Sequence, residues 1–253
     1  MITSLQNERV KLAHALQTQA KTRRKEGKMA LEGVRLIRDA LERGLTPEFI
    51  LYDPDAVDID AVVGTEQSPL PIPVTTEIIR YVSDTETPQG IVGVFPITAP
   101  PLPETPQRVL ILDNLRDPGN MGTILRTAAA AGVEVVLLSP GSVDAYNPKV
   151  LRGGMGAHFR IPVLEASWTR IAVYCRDLTV YLADMQGDVT YDAADWQQAW
   201  ALIIGSEAHG ESEEASTLAR QRVYIPMASE TESLNAAVAA GIILFEAARQ
   251  RRA

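Results

Sequence analysis

Five prolines fall within twelve residues: Pro96, Pro100, Pro101, Pro103 and Pro106, between Pro96 and Gln107. Proline lacks a backbone N–H and fixes φ, so this density excludes both a helix and a central strand. The stretch carries one charged residue, Glu104, and stiffens the spacing between its two flanks. It divides the chain into a first domain over 1–97, a linker over 98–107 and a second domain over 108–253.

With 46% hydrophobic residues, both parts can bury a core. The longest apolar run, Ala236 to Phe245, is about half the ~20 residues needed to span a bilayer, and the first eight residues lack the apolar core of a signal peptide. A lone cysteine, Cys175, excludes an internal disulfide framework and fits a reducing compartment. A soluble, cytoplasmic protein without membrane partners is expected. The net charge of −8 argues against wholesale coating of a polyanion. It does not exclude nucleic acid, because binding depends on where positive charge is placed.

The first domain reads as alternating elements. Ser4 is placed to cap a first helix with Leu5, Leu12, Ala13, Leu16 and Ala20 on one side. Basic residues follow: Arg9, Lys11, Lys21, Arg23, Arg24, Lys25 and Lys28, with Glu26 the only acid from Arg9 to Lys28. Such a run is either a solvated helix end or an arm that contacts phosphates. No aromatic residue interleaves it, so base stacking is not implied there. Strands near Met29, Phe49, Ile72 and Ile91 alternate with helices near Val34 and Thr76, which predicts a small α/β domain.

The second domain restarts with a buried-type strand, Val109-Leu110-Ile111-Leu112, a loop over 113–120, a helix from about Met121 to Ala131 stopped by Gly132, and a second apolar strand over 133–138. Strand, helix and strand in about 30 residues form a βαβ unit, so parallel pairing is expected. Further strands are predicted at 161–163, 178–182, 201–204 and 222–225. The last helix, Ala236 to Arg249, is apolar almost all round and must be buried against something large.

Three loops then leave the carboxyl ends of strands, where open α/β sheets place their ligands. The first runs from Asp113 through Asn120 and Gly122 to Arg126, and Asp117-Pro118-Gly119-Asn120 within it has turn chemistry. Arg126 has no acid three or four positions away, so a phosphate or a carboxylate from another loop is its expected partner. The second loop is Gly205-Ser206-Glu207-Ala208-His209-Gly210, whose glycines let a ligand approach the backbone. The third runs from Ile225, Pro226 and Met227 to Ser233, Leu234 and Asn235, with Ser233 or Asn235 capping the last helix. The glycines around Arg152-Gly153-Gly154-Met155-Gly156 do not directly follow a clear strand, which rejects a dinucleotide fingerprint. The histidines are too scattered for a metal site, and Ser206 with His209 lacks the Gly-x-Ser-x-Gly elbow of a hydrolase.

Taken together, Asn120-x-Gly122-x-x-x-Arg126, Ile204-Gly205-Ser206-Glu207-Ala208-His209-Gly210 and Ile225-Pro226-Met227 through Ser233-Leu234-Asn235 resemble the SpoU (TrmH-type) family of SPOUT RNA methyltransferases. Each motif is weak alone; three in this order are specific. The first half is similar to that family's L30e-like substrate-binding domain at 10–16, 31–33 and 87–91. The resemblance implies a parallel sheet with a deep C-terminal trefoil knot, a homodimer, S-adenosylmethionine as cofactor, no metal, and methylation of a ribose 2′-hydroxyl. Ribosomal RNA is favoured over transfer RNA, and a non-catalytic RNA-binding protein retaining the fold is the rival. One departure is Gly154, near which the family often has Ser.

Under this resemblance, Gly205, Ser206, Glu207, Gly210, Ile225, Met227, Ser233 and Leu234 hold the cofactor. Arg126 orients the target ribose through its phosphate or serves as general base, Glu207 pairs with or orients Arg126, and Asn120, Ser233 and Asn235 supply neutral hydrogen bonds. The basic residues of 9–28 and Arg152 contact RNA.

Overall fold

The structure is a computed structural model, and its description covers residues 1–64, 71–206, 210–228 and 233–252. The chain forms two compact units. The first comprises Met1–Thr98 with Tyr146–Phe159, and the second Ala99–Ala145 with Arg160–Ala253.

In the first unit the order is α1 (Glu8–Thr18), α2 (Ala20–Glu26), β1 (Lys28–Glu32), α3 (Val34–Glu42), β2 (Phe49–Tyr52), α4 (Asp60–Val63), β3 (Ile72–Pro73), α5 (Thr76–Val82) and β4 (Ile91–Pro96). The sheet order is β1-β4-β2-β3, with β4 antiparallel to both neighbours. Side chains alternate across the strands. Ala30, Phe49, Leu51, Val92 and Val94 face α1 and α5, burying Val10, Ala13, Leu16, Ile78 and Val82. Met29, Leu31, Ile50, Ile91 and Phe95 face α3. The first helix starts at Asn7, whose side chain accepts from Arg9 N, rather than at Ser4.

Residues 146–159 leave the second half of the sequence and join this unit. They carry helix α7 (Pro148–Gly154), which comes after α6 (Pro118–Ala131) in chain order. Leu151 and Phe159 enter the core under α3. Met155, a non-glycine residue with φ 45°, ends α7.

The second unit contains β5 (Arg108–Leu112), α6, β6 (Val135–Leu138), β7 (Val163–Glu165), α8 (Trp168–Cys175), β8 (Thr179–Ala183), β9 (Val189–Thr190), β10 (Trp200–Ile204), α9 (Glu213–Leu218), β11 (Gln221–Tyr224) and α10 (Ala236–Gln250). Its seven strands are ordered β7-β6-β5-β10-β8-β11-β9, all parallel. Every residue of β6 and β10 is buried, as expected where helices cover both faces of a parallel sheet. Val109, Ile111, Leu182, Ala201 and Ile203 pack against Ile171 and Cys175 of α8 and Ala215 of α9. Burial pushes the Cys175 thiol up to about 12, consistent with a small core residue. α6 and α10 pack on each other.

Two sequence expectations shift here. The 117–120 segment is the first turn of α6, with Asp117 as cap and Pro118 at the first position, the place where the missing N–H costs nothing. The strand expected at 161–163 lies at Val163–Glu165. Among the described residues, no helix is long and apolar enough to cross a membrane.

Candidate active site

The parallel sheet sets the position of the site. β5, β10, β8 and β11 end at one edge, and the loops after β8, β10 and β11, with the start of α10, enclose a cavity of about 240 Å³. Its walls are largely apolar: Ile204, Val223, Ile225, Leu234, Ala239 and Ile243.

The loop after β10 forms one wall. Ser206 N donates to Gly210 O at 3.2 Å, and Gly210 N donates to Ser206 O at 3.0 Å, closing the loop on itself. A Cβ on Gly205 would lie 3.2–3.3 Å from backbone atoms of Gly210 and Glu211. Gly210 has a φ of 67°. Gly210 therefore takes a conformation that other residues rarely adopt, and Gly205 permits a close backbone approach that a Cβ would crowd.

A buried carboxylate fixes the far end of that loop. Asp113, 1% exposed at the end of β5, accepts from Ser139 Oγ at 2.9 Å and from Ser212 N at 2.7 Å. Ser212 in turn caps α9, accepting from Ala215 N. Sequence reasoning placed Asp113 in a loop but assigned it no task; its signal was an acid directly after an apolar strand at the ligand edge.

Arg222 of β11 joins three walls. Its guanidinium donates to Glu211 Oε1 at 2.8 Å, to Ser216 Oγ at 2.6 Å and to Asp184. The hydrogen bonds that it donates to Glu211 and then to Asp184 raise its pKa above the usual arginine value. Asp184 and Glu211 also line the cavity, so its rim carries acids. A Cβ on Gly187 would meet the Arg222–Val223 backbone at 2.9–3.0 Å, which lets the 184–188 turn pass close to β11.

The third wall leads into α10. Asn235 caps the helix, its Oδ1 accepting from Ala237 N at 3.0 Å and Val238 N at 3.3 Å. Its Nδ2 donates to Asn120 Oδ1 at 3.0 Å, in the first turn of α6. Two helix N-termini therefore lie side by side, and each favours negative charge.

The structure brings together Gly205, Ser206, Gly210, Ile225, Met227, Ser233 and Leu234, all in the cavity wall. Asn120 and Asn235 meet beside it. Glu207 lies outside the described residues. Arg126 is exposed on α6, is not in the cavity wall, and has no ion pair among the described residues. Among those residues, no group of three or more His, Cys, Asp or Glu is arranged to hold a metal ion.

The residues expected to meet RNA divide. Arg9, Lys11, Lys21, Arg24 and Lys25 are exposed. Arg23 is a correction: it is 3% exposed, and its guanidinium donates to the carbonyls of Leu16 at 2.6 Å and Gln17 at 3.3 Å. These are among the last carbonyls of α1, which lack partners within the helix. Lys28 is half-buried and pairs with Glu48 at 2.6 Å. Arg152 is also corrected. It bonds Asp84 at 2.8 Å and lies 3.7 Å from the buried carboxylate of Glu32, which ties α7 to the first unit.

The profile of the SpoU rRNA Methylase family matches residues 107–245, which hold every wall of this cavity. The chain belongs to the SpoU rRNA methylase family. The profile of the MRM3-like substrate binding domain matches residues 7–93. Among relatives, the mitochondrial rRNA methyltransferase 3 of Mus musculus is 39% identical over 91% of this chain and 69% of its own. The 23S rRNA (guanosine(2553)-2'-O)-methyltransferase RlmP of Bacillus subtilis is 33% identical over 96% of this chain and 97% of its own. The SpoU methyltransferase AviRb of Streptomyces viridochromogenes, solved in complex with the cofactor AdoMet, is 28% identical, covers 98% of this chain and 99% of its own, and superposes with a TM-score of 0.88. The SpoU match takes in all three loops of the crevice, and the substrate-domain match takes in α1, α2 and α5.

Proposed function

We propose that this SpoU-family protein transfers the methyl group of S-adenosylmethionine to a ribose 2′-hydroxyl of ribosomal RNA. The observation that carries this reading is the crevice beside two joined helix N-termini, at the edge where β5, β10, β8 and β11 end. The residues present fit such a cofactor. The missing Cβ at Gly205 lets the loop after β10 close tightly on Gly210 and Glu211, and this closed loop lines the cavity. The apolar walls suit an adenine ring, and the acidic rim at Asp184 and Glu211 suits the cofactor's cationic and hydroxyl groups.

When bound, the cofactor supplies an electrophilic methyl group, the chemistry that the protein itself lacks. The protein's task is position: the reacting atoms must be held in line at roughly 3–3.5 Å. Gly205, Ser206, Gly210, Ile225, Met227, Ser233 and Leu234 form the holding surface. The Asn120–Asn235 pair and its helix N-termini receive a phosphate or ribose next to it. Arg126, exposed on the same helix as Asn120, adds a fork of donors for a phosphate. A guanidinium is a donor without acceptor capacity, so its assigned part is orientation rather than proton removal.

Three further features belong to this reading. α10 follows β11 yet packs on α6, which follows β5, across the sheet from β11; a chain crossing back over the carboxyl edge supports the knot that the resemblance implies. Val238 and Phe245 of α10 are about half exposed, on one and the same face of the helix, which supports a second copy as partner. The setting in this reading is the cytoplasm.

Calorimetry with S-adenosylmethionine tests the assignment against a non-catalytic RNA-binding protein. Saturable one-to-one binding is expected; no binding would favour the rival. Methylation of ribosomal RNA but not of transfer RNA separates the two substrates.

A further inference from the structure

The basic stretch at 9–28 contains no aromatic residue other than the imidazole of His14. The fold supplies one from 67 residues away. Tyr81 of α5 stacks on His14 of α1, with ring centroids 4.0 Å apart and planes inclined by 14°. His14 Nδ1 lies 2.7 Å from the Tyr81 carbonyl oxygen. A carbonyl only accepts, so Nδ1 carries the hydrogen and the ring is held in this orientation. The helices beneath are packed through Val10, Ala13, Ile78 and Val82, all fully buried. The pair is therefore a fixed feature of two helices rather than a loop ornament.

Tyr81 is 37% exposed, more than any other aromatic side chain of this unit among the described residues. His14 covers one ring face, so the exposed surface is the other face and the edge. Cations flank it. Lys11 precedes His14 by one turn of α1, and Arg80 is exposed beside Tyr81 with no ion pair among the described residues. The nearby acids are Glu8, paired with Lys11 at 3.5 Å, Asp84, bonded to Arg152, and Glu77, one turn before Tyr81. An exposed aromatic face among cations is what an unpaired nucleobase and its phosphates recognise: every base has a π-face, and stacking tolerates sequence.

We infer that the Tyr81–His14 pair is a stacking platform on which an unpaired base of the RNA substrate docks, with Arg80 and Lys11 meeting the adjoining phosphates. This inference rests on the reading of the protein as an RNA methyltransferase and deepens it by naming how the first unit grips RNA.

The test measures binding of two single-stranded probes of about a dozen nucleotides, within the range of such sites: an RNA and its abasic counterpart, with the same phosphates but no bases. The wild-type protein should prefer the base-bearing probe. Tyr81→Ala should weaken that probe about tenfold, the effect of one stacked base, bringing it near the abasic one. Its slope of log affinity against log salt should be unchanged, because the cations that meet the phosphates all remain. Tyr81→Phe should restore the preference. A wild-type protein that binds both probes equally, a comparison that needs no variant, would overturn the inference. So would a Tyr81→Ala protein of unchanged melting temperature that keeps the preference. If the wild type methylates ribosomal RNA and either of these results holds, the stacking platform alone falls. If the wild type binds no RNA and no S-adenosylmethionine, the methyltransferase reading falls with it.

Discussion

Asn235 and Asn120, 115 positions apart, are joined by a hydrogen bond of 3.0 Å from Nδ2 to Oδ1, while the Oδ1 of Asn235 caps α10. One side chain thus holds a helix end and aligns it with another. The two tasks separate by substitution. Asp caps a helix as well as Asn does, but its carboxylate cannot donate to Asn120. Asn235→Asp should keep most of the stability and lose methyl transfer. Asn235→Ala should lose both, with about 1 kcal/mol from the missing cap. Chemical denaturation alongside methyl-transfer rates checks this; equal activity in the Asp variant and the parent would remove Asn235 from the site.

Arg126 is exposed and outside the cavity wall. Arg126→Ala should therefore leave S-adenosylmethionine binding near normal and lower methyl transfer by about 10²-fold, the cost of misplaced reactants. Calorimetry and turnover are the two readouts. Loss of both to the same extent would mean that Arg126 supports the fold of the crevice.

Asp113 pins the crevice loop through Ser139 and Ser212. Asp113→Ala removes the acceptor of the half-buried Ser212 N–H and the main acceptor of the buried Ser139 hydroxyl, at about 1–3 kcal/mol for a buried group left unsatisfied, and frees the loop end. The cofactor dissociation constant should rise on the order of tenfold, about 1.4 kcal/mol. Asp113→Asn, which still offers one acceptor and one donor, should recover part of it. Unchanged cofactor affinity in a destabilised Ala variant would confine Asp113 to stability.

Arg23 and Lys25 are two residues apart but opposite in burial. Arg23→Ala should cost stability, about 1–3 kcal/mol for the buried carbonyls it leaves, whereas Lys25→Glu with Arg24→Glu should leave melting within a few degrees and weaken RNA binding. The slope of log affinity against log salt should flatten by roughly one for each phosphate no longer neutralised. An unchanged slope would make the exposed part of the run a solvated surface.

These contrasts show where sequence reasoning reached and where it stopped. Strands β5, β6 and β10 were legible because a parallel sheet covered on both faces needs continuous apolar runs. Two of the crevice loops were legible because closure at Gly205 and Gly210 and capping at Asn235 depend on residue type; the third, after β8 with Asp184 and Met185, was not. Arg23 was not, because a run of cations has the same appearance whether its side chains face solvent or the carbonyls of the preceding helix. The passage of 146–159 into the first unit was hidden too: its helix is seven residues long and its two anchors, Leu151 and Phe159, carry no periodic signal. The meeting of Tyr81 with His14 is a tertiary contact, with no trace in either local sequence.

The central claim is methyl transfer to a ribose. Ribosomal RNA from a strain lacking the gene, incubated with the purified protein and methyl-labelled S-adenosylmethionine, can be digested to nucleosides and resolved by mass spectrometry. Label should appear in a single 2′-O-methylribonucleoside with the wild-type protein and form about 10²-fold more slowly with Arg126→Ala. Label on a nucleobase, or none on any nucleoside from a protein that binds S-adenosylmethionine, would contradict the account.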